Sequence, residues 1–183
     1  MNREQLAHVL RAAAAIVSNA DIVVVGSQAV LATRDDTDLP MEATRSIEVD
    51  LAFFDDPEDT KADAIDGAIG ELSRFHERFG YYGQGVSLTT PVLPEGWINR
   101  LIRLESPEPA VRVRALEVHD CAASKLVAFR EKDREFASAL LEAGVITGAT
   151  IAERLDELPD SVSPARRIKI SRWLDRHRSS AFT

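Results

Sequence analysis

The chain contains few residues of several types, and each shortage excludes certain classes of protein. A single cysteine, Cys121, excludes an internal disulfide and suits a reducing compartment. No apolar run approaches the ~20 residues needed to span a bilayer, and the first residues lack the charged-then-apolar pattern of a signal peptide. We therefore expect a cytoplasmic protein that has no membrane partner.

Basic residues are also scarce, with 22 Lys and Arg against 30 Asp and Glu and a net charge of −8. This balance argues against a broad nucleic-acid-binding surface, which relies on many Lys and Arg contacts to phosphate. The charge is uneven, however. Acidic residues concentrate in 35–66, whereas basic residues concentrate in 112–134 and 166–178. A local basic face therefore remains a candidate contact for a nucleotide or an RNA end.

The 183 residues are enough for one domain with a substantial core, or for a core with a helical extension. Strands and helices alternate in the first part of the chain and helices alone follow, which predicts an α/β or α+β core with a helical C-terminal part. We place the core at 1–117 and the helical region, packed on that core, at 118–183.

Hydrophobic periodicity predicts the individual elements. Helices are expected at 3–18, 28–33, 62–79, 150–158 and 164–177, and strands at 21–25, 47–54, 86–90, 97–104 and 111–116. Residues 119–143 contain no Gly or Pro, which predicts one helix, or two that meet near 130–131. The polar segment 34–46 is a long loop, and loops of this length are often functional or mobile.

The first chemical signal is a turn of small residues after the apolar strand 21–25. Gly26 lets a phosphate approach the backbone closely. Ser27 is placed to cap the next helix, whose free N–H groups and positive end attract anions. A plain strand-to-helix turn is the simpler explanation of this pair when it is taken alone.

The second signal is a pair of carboxylates in the next strand. A strand alternates its side chains, so Glu48 and Asp50 face the same way while Ile47, Val49 and Leu51 face the core. At about 4 Å and an effective dielectric near 20 their repulsion is on the order of 4 kcal/mol, which a divalent cation reverses. Mg²⁺ binds through one or two carboxylates plus substrate phosphates. A solvated acidic strand face is the equally open alternative.

Seven segments between about residues 20 and 145 carry a more specific pattern. They are VGSQA (25–29), SIEVD (46–50), KADAIDGAIGELS (61–73), FGYY (79–82), LPEGW (93–97), SKLVA (124–128) and REKD (130–133). Their combination resembles the polymerase-β-like nucleotidyltransferase superfamily. It resembles more closely an uncharacterised bacterial family within it that is related to the AbiEii-type toxins of toxin–antitoxin systems.

The resemblance implies an α+β fold with an α/β-type nucleotidyltransferase core and a mixed sheet. It implies that Gly26 and Ser27 lie at the nucleotide phosphates, and that Glu48 and Asp50 are catalytic metal ligands for Mg²⁺ or Mn²⁺. The substrate would be a nucleoside triphosphate.

The resemblance also assigns two residues beyond the strands. Lys125 and Asp133 match a lysine and a late acidic residue that AbiEii-type enzymes carry on helices. Lys125 would neutralise charge on the triphosphate, and Asp133 would orient it or the attacking group. Eight residues apart, they lie close to one helix face over two turns, and a charged helix surface is the alternative interpretation of both. Arg45, beside the acidic strand, is a candidate phosphate contact.

Three departures from the superfamily pattern stand out. Glu48 replaces the usual first aspartate, and the gap between Ser27 and Glu48 is longer than usual. The third acid, often found on a following strand, has no counterpart in 86–90, and Glu105 and Glu117 are weakly placed substitutes. The site therefore lacks the usual base for an attacking hydroxyl.

These observations leave two functional hypotheses, beside a third interpretation in which the domain is purely structural and its acids are only solvated. The first is a metal-dependent nucleotidyltransferase that moves a nucleoside monophosphate to a hydroxyl on tRNA, a protein or a small molecule, as a component of a toxin–antitoxin pair. The net charge disfavours tRNA, and an antitoxin or another protein is a candidate partner. The second is a catalytically inactive module of the same fold that binds a nucleotide or a partner. Among the remaining residues, Cys121 is expected to be a core thiol, Trp97 a core residue, and Tyr81 and Tyr82 core or loop anchors.

Overall fold

The computed structural model describes residues 1–18 and 20–180, with side chains as far as His177 in the last helix. Within these residues the chain forms eight α-helices. They are α1 (Arg3–Ile16), α2 (Met41–Thr44), α3 (Thr60–Ile69), α4 (Arg74–Phe79), α5 (Val118–Ala128), α6 (Glu131–Glu142), α7 (Gly148–Asp156) and α8 (Pro164–Ser180). Short 3₁₀ helices lie at Ser27–Ala32, Asp36–Asp38 and Trp97–Arg100.

In the same described residues, five strands form one mixed sheet. They are β1 (Asp21–Val24), β2 (Glu48–Phe53), β3 (Tyr82–Gly85), β4 (Ile102–Arg103) and β5 (Arg112–Ala115), and they are ordered β3-β2-β1-β5-β4. β1 runs antiparallel to β2 and parallel to β5, β2 runs parallel to β3, and β4 runs antiparallel to β5. The predicted α+β fold with a mixed sheet is confirmed.

The hydrophobic core lies on both faces of this sheet. Ile22, Val23 and Val24 of the central strand β1 are fully buried, as expected for an apolar strand covered on both sides. The buried cluster extends from Leu6 of α1 to Leu174 of α8. The division into a core at 1–117 and a helical region at 118–183 stays a prediction.

The long helical stretch after β5 is two helices, the second of the two alternatives that the sequence left open. Phe129 ends α5 in the left-handed conformation, with φ of 59°, and Arg130 is the N-cap of α6. This reversal folds α6 back against α5, so that residues on the two helices become neighbours.

A charge cluster around the buried Asp120 joins α5 and α7 to the 3₁₀ helix at Trp97–Arg100. Asp120 of α5 is fully buried, and both of its carboxylate oxygens accept hydrogen bonds from Arg100 at 2.9–3.2 Å. Arg154 of α7 lies 2.9 Å from the same carboxylate, and Glu157 contacts both arginines. Two cations and two anions therefore neutralise one another around a carboxylate that is itself fully buried.

Two strand predictions were wrong. The strand expected at 86–90 lies instead at Tyr82–Gly85, and 97–104 is a 3₁₀ helix followed by the short β4. β3 is hidden in the sequence because glycine is depleted from strands. A Cβ on Gly83 would lie 3.0–3.1 Å from Val9 and Ile69, and one on Gly85 would overlap the backbone of Ala62. Helix packing, rather than strand propensity, selects these glycines.

The remaining differences are smaller. The helix expected at 62–79 is two helices, α3 and α4, which are separated at Gly70–Ser73, and the loop 34–46 contains the short α2. The helices at 3–18, 150–158 and 164–177 and the strands at 21–25, 47–54 and 111–116 are confirmed within a few residues. Over the described part of the chain, none of the helices has the length and apolar character that crossing a bilayer requires.

Candidate functional site

An open cleft of about 700 Å³ lies between the sheet and the corner where α5 turns into α6. All the candidate site residues predicted from the sequence line it. They are Gly26, Ser27, Arg45, Glu48, Asp50, Lys125 and Asp133. The fold thus brings together groups from four separate stretches of the chain, although their individual roles stay predictions.

A glycine is required at position 26 because a side chain does not fit there, and not because of the backbone conformation. Its φ of −87° and ψ of −164° are ordinary extended values that any residue adopts. A Cβ at this position, however, would overlap the carboxylate of Asp50 and lie 2.6 Å from its Cγ. The glycine therefore creates the space in which the Asp50 side chain stands at the end of β1.

Ser27 does not cap the following helix, contrary to the sequence prediction. It is the first residue of the 3₁₀ helix, Gly26 occupies the N-cap position, and no side chain caps that end. Ser27 is part-exposed in the cleft, and its hydroxyl has no hydrogen-bond partner among the residues that the structure describes. It remains available to a ligand.

Glu48 and Asp50 stand side by side on β2, as the alternation of strand side chains predicted. Their carboxyl groups are close enough to share a hydrogen bond, and Val49 and Leu51 between and beyond them are fully buried. Burial first, and then the hydrogen bond and negative charge of Glu48, raise the pKa of Asp50 to about 7. Near neutral pH the pair therefore holds a proton that a cation can displace.

Ile47 does not join the core, which corrects the prediction for the start of this strand. It precedes β2, is 47% exposed and lines the cleft. The alternating pattern was extended one residue too far, since the side-chain alternation of a strand ceases where the strand does.

Tyr82 fastens Glu48 from the neighbouring strand. The two residues are paired in register across β2 and β3, and the Tyr82 hydroxyl donates to Oε2 of Glu48 at 3.3 Å. Burial and the nearby Glu48 raise the pKa of Tyr82 to about 12, so the phenol stays protonated and remains a donor. Tyr82 is a loop or core anchor, as expected, and in addition it orients a site carboxylate.

The spacing of Lys125 and Asp133 predicted that they share one helix face. In the structure they lie on different helices, α5 and α6, and meet across the corner between them. The Nζ of Lys125 lies 3.8 Å from Oδ1 of Asp133. Asp133 is fully buried, and Arg130 donates to its oxygens at 2.7–3.2 Å. Although burial opposes ionisation, Arg130 and Lys125 keep the pKa of Asp133 below its usual value. Asp133 is therefore a charged anchor for two cationic side chains.

The two walls of the cleft carry opposite charge. Glu48 and Asp50 lie on the sheet side, and the cationic side is formed by Lys125, Arg130 and Lys132. Lys125 and Lys132 both act electrostatically on Asp50. Lys132 is exposed and has no ion-pair partner within the described residues. A ligand that carries both a cation and several phosphates matches this division of charge.

Arg45 lies at the rim of the cleft in an ion pair. Its Nη2 is 2.5 Å from Oε2 of Glu135 on α6, and both side chains are about half exposed. This pair joins the segment after α2 to α6. Exposed pairs of this kind contribute only ~0–1 kcal/mol, so Arg45 can exchange Glu135 for a phosphate at little cost.

The strand beside the acid pair carries no third carboxylate. Gln84 is the β3 residue paired with Asp50, and its amide donates to Asp66 of α3 at 2.8 Å. The same Asp66 accepts from the edge N–H of Gly85 at 2.5 Å. Glu105 and Glu117 are outside the cleft lining, and Glu117 caps α5 by accepting from the first backbone N–H groups of that helix.

Comparison with known proteins identifies the family. Residues 4–163 match the family described as nucleotidyltransferase of unknown function (DUF6036). The chain belongs to this family. No curated protein and no solved structure matches it. The relation of this nucleotidyltransferase-family chain to AbiEii-type toxins stays a prediction.

The site of this nucleotidyltransferase-family chain fits a divalent cation that is held together with substrate phosphates. In residues 1–18 and 20–180 no group of three or more His, Cys, Asp and Glu side chains is placed to hold a metal. Two adjacent, half-buried carboxylates suit Mg²⁺ or Mn²⁺, which commonly bind through one or two carboxylates and complete their coordination with phosphate and water. The raised pKa of Asp50 fits as well, because a cation relieves the crowding of negative charge.

Several residues of the cleft were not identified from the sequence. They are Glu42, Ser124, Arg130 and Lys132, together with the apolar wall formed by Val86, Pro91 and Val92. The charged run at 130–135, at the start of α6, was a usable signal for the two cations. Nothing local marks the apolar wall, since residues 86–92 reach the cleft only through the course of the loop after β3.

Cys121 lies in the core, whereas Trp97, predicted to be a core residue, and Tyr81 are partly buried and pack against it. Cys121 is buried beneath Gly26, with Sγ 3.4 Å from the Gly26 carbonyl oxygen, and burial raises the pKa of its thiol to about 11. Its expected role as a packed thiol is confirmed. Trp97 stacks on Phe54 with ring centroids 5.8 Å apart, and Tyr81 bonds His8 away from the cleft.

Proposed function

We propose that this protein is a metal-dependent nucleotidyltransferase that moves a nucleoside monophosphate from a triphosphate to a hydroxyl. The observation that carries the proposal is the cleft itself. Glu48 and Asp50, the latter against the backbone of Gly26, stand on one wall, and Lys125, Arg130 and Lys132 stand on the other. Family membership supports the same class of reaction.

In the proposed reaction the acceptor oxygen attacks the α-phosphorus and the bond from that phosphorus to the bridging oxygen of the β-phosphate breaks. The acceptor loses its proton to solvent or to a cleft carboxylate, and pyrophosphate leaves. Lys125 and Arg130, which both contact Asp133, would neutralise the departing charge. Stabilisation of developing charge by fixed groups is usually the largest catalytic contribution.

A bound Mg²⁺ or Mn²⁺, held by Glu48 and Asp50, would supply Lewis-acid activation of the α-phosphate and lower the pKa of the attacking group. Tyr82 keeps Glu48 directed towards this position. Gly26 and Ser27 leave room for the phosphates, because neither contributes a bulky side chain at the end of β1.

A second function is favoured by one specific observation. The β3 residue beside Asp50 is the neutral Gln84, which is bound to Asp66, so the acid pair has no neighbouring carboxylate on this strand. A nucleotidyltransferase-like module that binds a nucleotide or a partner without turnover requires no third acid. The two functions make the same prediction for nucleotide binding and opposite predictions for transfer.

The biological setting is proposed from the resemblance alone. We place the protein in the cytoplasm as one component of a toxin–antitoxin pair, with tRNA, a protein or a small molecule as acceptor and an antitoxin as protein partner. Inducible expression of the wild type should then arrest growth, whereas expression of Asp50→Asn at the same level should not. Equal growth of the two cultures would remove the toxin role.

The test of transfer uses nucleotides labelled at different phosphates. The protein is incubated with a cell extract, Mg²⁺ or Mn²⁺, and triphosphates labelled either at the α- or at the γ-position. Nucleotidyl transfer moves the α-label to a macromolecule or small acceptor and releases the γ-label in pyrophosphate. The same incubations are run with Glu48→Ala and Asp50→Asn.

A matched control is Asp156→Asn, which removes one exposed carboxylate on α7 outside the cleft. We expect transfer of the α-label by wild type and by the control, and at least a 100-fold loss in both cleft variants. Metal-dependent nucleotide binding without transfer would select the non-catalytic module. Transfer that survives in Glu48→Ala and Asp50→Asn would remove this site from the reaction.

A further inference from the structure

A second basic surface surrounds Phe129 at the corner between α5 and α6. The guanidinium carbons of Arg134 and Arg166 lie 5.1 and 5.8 Å from the centroid of the Phe129 ring, and Nζ of Lys169 lies 4.4 Å from it. We call Arg134, Arg166 and Lys169 the Phe129 cluster. The residues on either side of Phe129 in the chain both line the cleft, so the cluster adjoins the proposed active site.

The positive charges of these three side chains are not neutralised by ion pairs with carboxylates in the described residues. Because each lies within 5.8 Å of one ring centroid, any two are within about 11 Å, close to the Debye length at 0.1 M salt. No carboxylate within the described residues forms an ion pair with any of them. The face of the ring attracts cations, but Phe129 is only 8% exposed and offers no platform for stacking. In a chain of net charge −8, this is a local excess of positive charge.

The cluster continues along α8 as a regular row. Arg166, Lys169 and Arg172 follow one another at three-residue spacing, so they lie near one helix face and rise about 4.5 Å from each to the next. Lys169 and Arg172 are exposed. At the other end, Lys132 of α6 is exposed and lines the cleft. Basic side chains are therefore found on α8, at the α5–α6 corner and at the cleft mouth.

We propose that this surface binds the phosphate backbone of a single-stranded nucleic acid whose end reaches the cleft. The inference rests on the proposed function and specifies its acceptor class, a hydroxyl of a nucleic acid. An extended row of like charges matches the repeating charge of a phosphate backbone better than it matches a single phosphate group. The acidic remainder of the surface limits contact to this one strip.

The experiment measures the fluorescence anisotropy of a labelled 12-nucleotide single-stranded RNA over a range of salt concentrations. For single strands, each neutralised phosphate contributes about −0.7 to the slope of log K against log salt. Removing two contacts in the double variant Arg166→Gln and Lys169→Gln should reduce the slope by about 1.4 and weaken binding at least tenfold at low salt. Glutamine preserves helix propensity.

The matched control is the double variant Arg11→Gln and Arg103→Gln. It makes the same change in net charge on α1 and β4, at exposed residues outside the cleft and the cluster. We expect the control to bind RNA as the wild type does. Equal loss in the control and the cluster variant would overturn the proposal, because only net charge would then matter. Equal binding of an oligoglutamate peptide of the same charge would overturn it as well.

Binding of Mn²⁺ with a triphosphate, measured on the same proteins, separates this inference from the proposed function. RNA binding that depends on the cluster, together with retained Mn²⁺–triphosphate binding, supports both. RNA binding that depends on the cluster without any metal–nucleotide binding overturns the proposed function and supports the nucleic-acid site. Metal–nucleotide binding without RNA binding overturns the inference alone.

Discussion

Replacing Asp50 by asparagine should make the protein more stable above neutral pH, although it removes a residue of the candidate site. In the wild type the folded-state pKa of Asp50 is about 7, against an ordinary value of 3.8, because burial and Glu48 disfavour its charged form. The folded protein therefore binds this proton more tightly than the unfolded chain does. This contribution to stability is complete below about pH 4 and is lost as pH rises through about 7.

The difference between the two pKa values sets the size of the effect. It corresponds to about 4 kcal/mol when the group is ionised in both states, and about 2.5 kcal/mol of this is lost between pH 5 and pH 8. The asparagine introduced by Asp50→Asn carries no charge, and its amide can donate to Glu48 in place of the shared proton. The advantage of Asp50→Asn over wild type should therefore grow by about 2.5 kcal/mol between pH 5 and pH 8.

Urea unfolding in EDTA at these two pH values measures the effect, with Asp156→Asn as the control. The control replaces an exposed carboxylate, so its difference from wild type should not change over this range. Saturating Mg²⁺ at pH 8 should then stabilise the wild type, by about 2.7 kcal/mol at 100 times Kd, and leave Asp50→Asn unchanged. If the difference between Asp50→Asn and wild type is the same at both pH values, the two carboxyl groups are not crowded together as the structure places them.

Three further predictions test the same architecture. The Kd for Mn²⁺ should rise about tenfold as the pH falls from 8 to 6, because the cation must displace the proton of Asp50. Calorimetric titration measures this Kd, and a value independent of pH would contradict the prediction. Gly26→Ala should weaken Mn²⁺ binding at least tenfold, since the new methyl overlaps the Asp50 carboxylate while the backbone tolerates alanine; unchanged affinity would show that Asp50 does not need this space. Asp120→Asn should cost about 3 kcal/mol in urea unfolding, because it leaves two arginines facing a buried neutral group. As the control, Asp55→Asn at an exposed ion pair should lower the free energy of unfolding by less than about 1 kcal/mol. Similar losses of stability in Asp120→Asn and Asp55→Asn would refute the special role of the cluster around Asp120.

The acid pair shows what a local sequence pattern can predict and what it cannot. Two residues at a spacing of two in a strand must share a face, so the spacing of Glu48 and Asp50 was enough to place them together. The burial that contributes most to the raised pKa of Asp50 could not be predicted, because it depends on packing against distant segments of the chain, Gly26 among them.

Lys125 and Asp133 show the opposite case. Their proximity was predicted for the wrong reason, since helical periodicity does not bring them together. The left-handed Phe129 ends α5 and turns α6 back, and the two side chains meet across that turn. A non-glycine residue with positive φ has no reliable local signature, because its conformation is imposed by the packing of both helices.

The amino-acid sequence by itself determined the alternating elements, the mixed α+β class, the acid pair and the small residues at the end of β1. These depend on neighbours in the chain, whose geometry is fixed by the backbone. Only the tertiary structure decided the glycine-rich edge strand, the opposing walls of the cleft and the convergence of three cations on Phe129. Those features join residues from distant segments, and their positions are set by packing between elements rather than within them.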